Sequence, residues 1–168
     1  MLFSTTQQQE ELRAKIRTFA EEKLKPLTFL MDKENQFPDD AVAKLGKMGL
    51  MGIPFPADNG GMGLDMINYA IAVEELARVD GGTGVILSAH TSLGSWPIFA
   101  FGNEAQKKKY LVPLCKGEKI GAFGLTEPNA GSDAGGTETT AVDKGDYYLL
   151  NGGKIFITNA PKADTYVI

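Results

Sequence analysis

Two stretches decide how this chain reads: residues 123–133, FGLTEPNAGSD, and residues 151–160, NGGKIFITNA. The first has the make-up of a strand end at Phe123 and Leu125. It runs through Thr126, Glu127 and Pro128 into a turn holding Gly131 and Ser132. Such a segment offers backbone amides and two hydroxyls to a polar, flat or phosphorylated ligand, and glycine at 131 lets the backbone come close. In the second, Phe156 and Thr158 stand two apart, so on a strand both side chains share a face. An aromatic ring beside a hydroxyl suits a flat heteroaromatic group with a hydrogen-bonding edge. Composition alone leaves a plain turn and a plain hairpin open for the two stretches.

The surroundings carry β grammar. KIGAFGLTE is short and lacks a helical stripe, ETTAV is β-branched, and YYLL and KIFIT flank an Asn-Gly pair. Apolar runs on both sides of Asn-Gly predict a hairpin with its turn at 151–153. TYVI begins a further strand. These roughly 50 residues make a sheet too small to stand alone, with an edge of unpaired amides and carbonyls. The expectation is that something else completes it or that the sequence is part of a longer one.

Residues 1–120 read as a helical domain, and 121–168 as an incomplete middle β domain. Thr6 and Gln9 have capping-box spacing ahead of the stripe Leu12, Ile16, Phe19 and Leu24. Pro26 predicts an end or a bend. A second helix is expected from Pro38 through Ala41, Val42, Leu45 and Met48 to Gly49. Asp65 suits the N-cap of a deeply packed helix, MINYAIAVEELARV, and another apolar helix is expected from about Thr83 to Leu93. Asn103 and Gln106 open a last helix expected to end near Pro113. Glu74 and Glu75 are the tempting acid–base candidates, but a surface carboxylate or a structural ion pair fits them better.

Composition excludes several classes. The net charge is −4, so a nucleic-acid backbone offers little attraction. Lys107, Lys108 and Lys109 read as a solvated helix face rather than an anion site. A single cysteine, Cys115, rules out an internal disulfide or a cysteine-rich zinc site, and a single histidine, His90, argues against a histidine metal site or a Ser-His-Asp triad. His90 lies in an apolar run and reads as structural. No apolar stretch reaches the ~18 residues of a membrane span, and the start lacks a secretory pattern, so a cytoplasmic setting is expected. Gly61, Met62 and Gly63 lack a third glycine and a βαβ context, so no dinucleotide fingerprint is present.

FGLTEPNAGSDAGG followed by NGGKIFITNA closely resembles the acyl-CoA dehydrogenase family. IPFPADNGGMGLD and AVEELARVDGGTG resemble it too, so the likeness covers essentially the whole chain. Its blocks are most similar to bacterial short-chain, butyryl-CoA-type members. The resemblance implies a mainly α N-terminal domain and the beginning of a β domain, without the C-terminal helical bundle. It implies FAD as cofactor, acyl-CoA as substrate, electron-transferring flavoprotein as electron acceptor and a homotetrameric assembly. Carried over, Phe123, Leu125 and Thr126 line the flavin, with the Leu125 and Thr126 amides and the Thr126 hydroxyl at its polar edge. Gly131 and Ser132 lie by the FAD pyrophosphate, and Ser132 also meets the acyl-CoA. Phe156, Ile157 and Thr158 pack beside the flavin, with Thr158 near N5. Many members carry tryptophan where this chain has Phe156, so the aromatic face is kept and the indole donor is lost.

The family's catalytic glutamate belongs to the C-terminal bundle in this subgroup. No residue here inherits that role, and the 168 residues alone are expected to be inactive. Two other readings remain at this stage. One is an acyl-CoA oxidase or other flavin oxidase of the same fold. The other is a non-catalytic helical module that binds partners.

Overall fold

The computed structural model describes residues 4–168. Helix α1, Gln7–Phe19, opens with the expected capping box: Thr6 Oγ1 accepts from the Gln9 amide at 3.2 Å, and the Gln9 side chain accepts from the Thr6 amide at 2.9 Å. Ile16, Phe19 and Leu24 enter the core and Leu12 packs at its edge, as the stripe predicts. The chain stays helical at Pro26. A π turn at Ala20–Leu24 and a 3₁₀ turn at Lys25–Leu27 lead into α2, Thr28–Glu34. Pro26 sits where the hydrogen-bond register changes, so its missing N–H leaves no gap.

Helix α3, Asp39–Lys47, buries Ala41, Val42 and Leu45, and Gly49 ends the run at φ +79°. Asp65 caps α4, Met66–Ala77, by accepting from the Asn68 amide at 2.9 Å. This helix buries one face rather than all of its apolar surface: Tyr69, Ala72 and Leu76 are inside, while Met66 and Ile67 are exposed. Glu75 lies on the buried face. Arg17 grips it with Nη2 at 2.7 Å and Nε at 2.8 Å, and Arg13 adds a bond at 3.0 Å. A buried carboxylate is tolerated because its charge and lone pairs are matched. The structural reading of Glu74 and Glu75 therefore holds, since Glu74 also pairs with Arg13 at 2.8 Å.

Helix α5, Gly81–Ala89, starts at the Asp80 cap, two residues ahead of the expected Thr83. It runs on through a π turn, His90–Ser95, into α6, Trp96–Phe101, which periodicity did not predict. The Asn103–Gln106 capping box opens α7, Glu104–Gln106. A π turn at Lys107–Leu111 carries the chain into α8, Val112–Cys115, which ends two residues beyond Pro113, close to the expected stop. Pro113 sits in the first turn of α8, at the change of register from the π turn. Lys108 and Lys109 are exposed. Among the described residues, no helix is long and apolar enough to cross a membrane.

The β segment is sparse. Strand β1, Gly121–Phe123, pairs in parallel with β4, Thr165–Val167, and β2, Thr140–Asp143, pairs antiparallel with β3, Tyr148–Asn151. The predicted hairpin is displaced. Its turn lies between Asp143 and Tyr148, closed by Lys144 N–H to Tyr147 O at 2.9 Å with Gly145 at φ +89°. The Asn-Gly pair falls at the far end of β3, and residues 154–158 form no strand. Phe156 at φ +57° breaks the extended run, and the Ile155 amide bonds Thr126 O instead of returning to β3. The Asp and Gly of DKGD supplied a competing turn signal.

A seam joins the two parts. His90 Nδ1 accepts from the Gly121 amide at 3.1 Å, and Nε2 lies 3.2 Å from Leu114 O. These partners place the ring proton on Nε2. Gly94 meets β1 backbone to backbone: a Cβ there would stand 2.7 Å from Gly121 Cα. Gly94→Ala should therefore destabilise the fold by about 2 kcal/mol or more through overpacking, as read by chemical denaturation. An unchanged midpoint would contradict the close approach.

Acid should unfold the protein in two successive windows. Burial depresses the His90 imidazole from 6.5 to about 4. The fold holds it neutral, so stability is full above the unfolded value and falls as pH drops from about 6.5 towards 4, by up to roughly 3 kcal/mol. The Arg17 hydrogen bond, with Arg13 and Arg78 nearby, holds the Glu75 carboxyl at about 2 instead of 4.5. Its contribution is lost between those values as pH falls. Urea melts across pH should show both slopes, and His90→Gln should remove the first alone.

Candidate functional site

Residues from the stretches 123–133 and 151–160 come together in space. Phe123, Leu125, Thr126, Phe156, Ile157 and Thr158 line one cleft of about 210 Å³, with Ala89 and Leu93 closing it from the helical side. Six of the eight expected site residues therefore share a surface. Gly131 and Ser132 do not line it; they lie on an exposed loop beyond Ala130. Ala89 and Leu93 were missed as site residues. Their four-residue spacing on the run expected from Thr83 to Leu93 was the available signal.

Local chemistry explains the arrangement. Strand β1 delivers Phe123, and the Gly124 amide donates to Val167 O at 2.8 Å. Leu125 and Thr126 then leave the ladder, and their amides make no backbone hydrogen bond among the described residues. On the opposite wall, the chain enters a left-handed conformation at Phe156, whose ring is 89% exposed. That geometry costs an aromatic residue about 1 to 2 kcal/mol, and an exposed ring offsets little of it by burial. Asn159 follows at φ +69°, which asparagine tolerates. Its buried amide donates to Ile86 O at 3.1 Å and Gly121 O at 3.2 Å. Thr158 is thereby pinned between α5 and β1. The expected shared face of Phe156 and Thr158 survives as a shared cleft, although no strand creates it.

Charge is kept out of the cleft itself. No carboxylate lines it. Glu127, next in sequence to Thr126, is turned into the protein and only 4% exposed. Its Oε1 accepts from Lys154 Nζ at 2.7 Å and from the Thr139 amide at 3.0 Å, and Oε2 accepts from the Glu138 amide at 2.6 Å. Lys154 above all, with the loop amides, holds the Glu127 carboxyl at about 2. It is an anion held by three hydrogen bonds with its pKa far below neutral, which disqualifies it as a general base at neutral pH. Burial pushes the Cys115 thiol up to about 12 and removes it as a nucleophile.

The cleft has the features an isoalloxazine ring needs. It presents an aromatic ring and aliphatic walls for the flat face, two free amides and two threonine hydroxyls for the polar edge, and a protein-side shell without competing charge. Larger hollows exist. One, of about 740 Å³, lies between α2, residues 35–38 and α5 and also touches Thr158; another, of about 560 Å³, lies between α6 and β4. Neither gathers the residues the sequence singled out.

Comparison with known proteins identifies the family. The profile of the acyl-CoA dehydrogenase N-terminal domain matches residues 6–118, and that of the acyl-CoA dehydrogenase middle domain matches residues 122–168. A short-chain specific acyl-CoA dehydrogenase of Clostridium acetobutylicum is 56% identical over 168 residues, covering 100% of this chain and 44% of that protein. The butyryl-CoA dehydrogenase of Megasphaera elsdenii superposes with a TM-score of 0.94 at 45% identity, over 99% of this chain and 44% of that one. A chain from structural work on the electron transferring flavoprotein of Acidaminococcus fermentans superposes at 0.97 with 51% identity, again covering 100% and 44%. The chain thus spans less than half the length of the relatives it matches. Within that span, from the capped first helix to the cleft between residues 123–126 and 156–158, it belongs to the acyl-CoA dehydrogenase family, as its N-terminal helical domain and the start of its β domain.

Proposed function

We propose that this chain forms one wall of the FAD and acyl-CoA site of an acyl-CoA dehydrogenase of the short-chain, butyryl-CoA type. The observation that carries the reading is the meeting of Phe123, Leu125, Thr126, Phe156, Ile157 and Thr158 in a single cleft from two segments some thirty residues apart. In this reading Leu125 and Thr126 amides and the Thr126 hydroxyl address the flavin's polar edge, and the Thr158 hydroxyl sits near N5. The Phe156 ring covers a flavin face, and Phe123 and Ile157 exclude water. Gly131 and Ser132, outside the cleft, hold the pyrophosphate end, and Ser132 also meets the acyl-CoA. Held by these residues, FAD would supply the redox chemistry, acceptance of a hydride during desaturation of an acyl-CoA thioester.

The chain's own share is binding and orientation. Ala89 and Leu93 present an apolar surface to the cleft from the helical side, suited to a short acyl chain. Donors at the flavin edge stabilise negative charge that develops there. No carboxylate among the described residues lines the cleft, and in this reading none of them serves as the α-proton acceptor. The division near residue 120, electron-transferring flavoprotein as acceptor and a tetrameric assembly complete the reading.

The test uses the protein that carries these residues. Purified with FAD, it should lose its flavin absorbance on anaerobic addition of butyryl-CoA and pass electrons to electron-transferring flavoprotein. Failure to bleach would remove the dehydrogenase reading, and rapid peroxide formation in air would convert it to an oxidase. Thr158→Ala should weaken FAD binding or shift its potential by about 1 kcal/mol, the worth of one hydrogen bond. Unaltered binding and reduction would show that Thr158 does not face N5.

Phe156→Gly separates strain from function. Glycine adopts φ near +57° without penalty, so the variant should melt no lower than the parent in the absence of FAD. Its FAD affinity should fall by about tenfold through loss of the ring contact. A lower melting point with unchanged FAD affinity would mean that the ring serves the fold instead.

A further inference from the structure

We propose that Glu127 and Lys154 form a clasp that sets the spacing between the two walls of the cleft, both acting as positioning residues for the flavin. The inference rests on the FAD reading above. Neither side chain lines the cleft. Each belongs to one of its walls: Glu127 follows Thr126, and Lys154 precedes Ile155 and Phe156. Their contact at 2.7 Å is a direct cross-link between those walls, and it is shielded, with side chains 4% and 15% exposed.

The clasp holds more than the pair. Lys154 Nζ also donates to Leu125 O at 3.0 Å, which orients the peptide linking Leu125 to Thr126. The amide of that peptide belongs to Thr126, one of the two donors left free beside the cleft. The Ile155 amide donates to Thr126 O at 2.9 Å and keeps the walls in register. Gly124 admits the Lys154 stem: a Cβ there would stand 3.2 Å from its Cγ. The other Glu127 bonds, to the Glu138 and Thr139 amides, fold the loop after Ser132 back onto the same carboxylate. One anion therefore gathers three segments around the site.

Charge makes the role distinguishable from plain bracing. With both partners present, the pair is neutral beside the cleft. Removing the carboxylate leaves the Lys154 cation uncompensated, which favours the more negative, reduced flavin. Removing the lysine leaves the anion and disfavours it. A brace without this electrostatic role would weaken both redox forms alike.

The experiment measures FAD affinity and the two-electron potential of the bound flavin in the full-length protein carrying these residues. It compares the parent with Glu127→Gln, Lys154→Met, the double variant and Lys154→Arg. Each neutralising single should raise the FAD dissociation constant about tenfold. Glu127→Gln should move the potential positive and Lys154→Met negative, a tenfold change in relative affinity reading as about 30 mV. The double variant should return to the parent potential while still binding FAD weakly, and Lys154→Arg should restore most of the affinity. If the parent binds FAD and the singles match it, or if both shift the potential the same way, the clasp is wrong and the FAD reading stands. A parent with no affinity for FAD overturns both. Should Glu127→Gln fail to fold, Lys154→Met decides alone, because it leaves the carboxylate on its two amides.

Discussion

The structure hangs on a short backbone contact, where the π turn after α5 lies against the first residue of β1. Gly94 and Gly121 touch without side chains between them. His90 and Asn159 fill the hydrogen-bonding needs on either side of that contact. His90 takes the Gly121 amide, and Asn159 gives to the Gly121 carbonyl, so both polar groups of one residue in a buried place are matched by side chains. An unmatched amide or carbonyl there would cost as much as a lost hydrogen bond or more. The position of β1 relative to the helices fixes where Phe123, Leu125 and Thr126 emerge, and Asn159 fixes where Thr158 does.

Two buried carboxylates show how the same chemistry serves different ends. Glu75 is surrounded by arginines and joins α1 to α4 outside the cleft lining. Glu127 is surrounded by one lysine and two loop amides and joins the cleft's own walls. Both are held ionised well below the ordinary carboxylate range. Each is bonded to a cation and held ionised, a poor proton acceptor at neutral pH, so their low exposure marks structure and not acid–base work. The exposed, strained ring of Phe156 is the opposite case. Its conformation is unfavourable by itself and its surface is unburied, which is what a residue awaiting a ligand looks like.

Much of the helical part was legible. Thr6 with Gln9, Asp65, and Asn103 with Gln106 all cap where local hydrogen-bonding rules say they should. The stripe through Ile16, Phe19 and Leu24 enters the core as its spacing requires. What periodicity could not see were the π turns at Ala20–Leu24, His90–Ser95 and Lys107–Leu111, because a register of five residues leaves no separate sequence signature. The first two of those turns kept the chain helical around Pro26 and past Leu93. The misplaced hairpin has a similar cause. Asn-Gly and Asp-Lys-Gly-Asp both suit tight turns, and the choice between them was made by contacts at Thr126 and Thr139 rather than locally.

By itself the sequence determined the capped starts of α1, α4 and α7, the change to β grammar near residue 120, the family, and the identity of the residues in the two key stretches. These follow from local hydrogen bonding, side-chain shape and the specificity of long motif blocks. Only the tertiary structure decided that Phe156 and Thr158 share a cleft without sharing a strand, that Ala89 and Leu93 close it, and that Glu127 turns inward to Lys154. Those outcomes depend on which backbone groups find partners across some thirty residues or more of chain, and such long-range pairing leaves no periodicity to read.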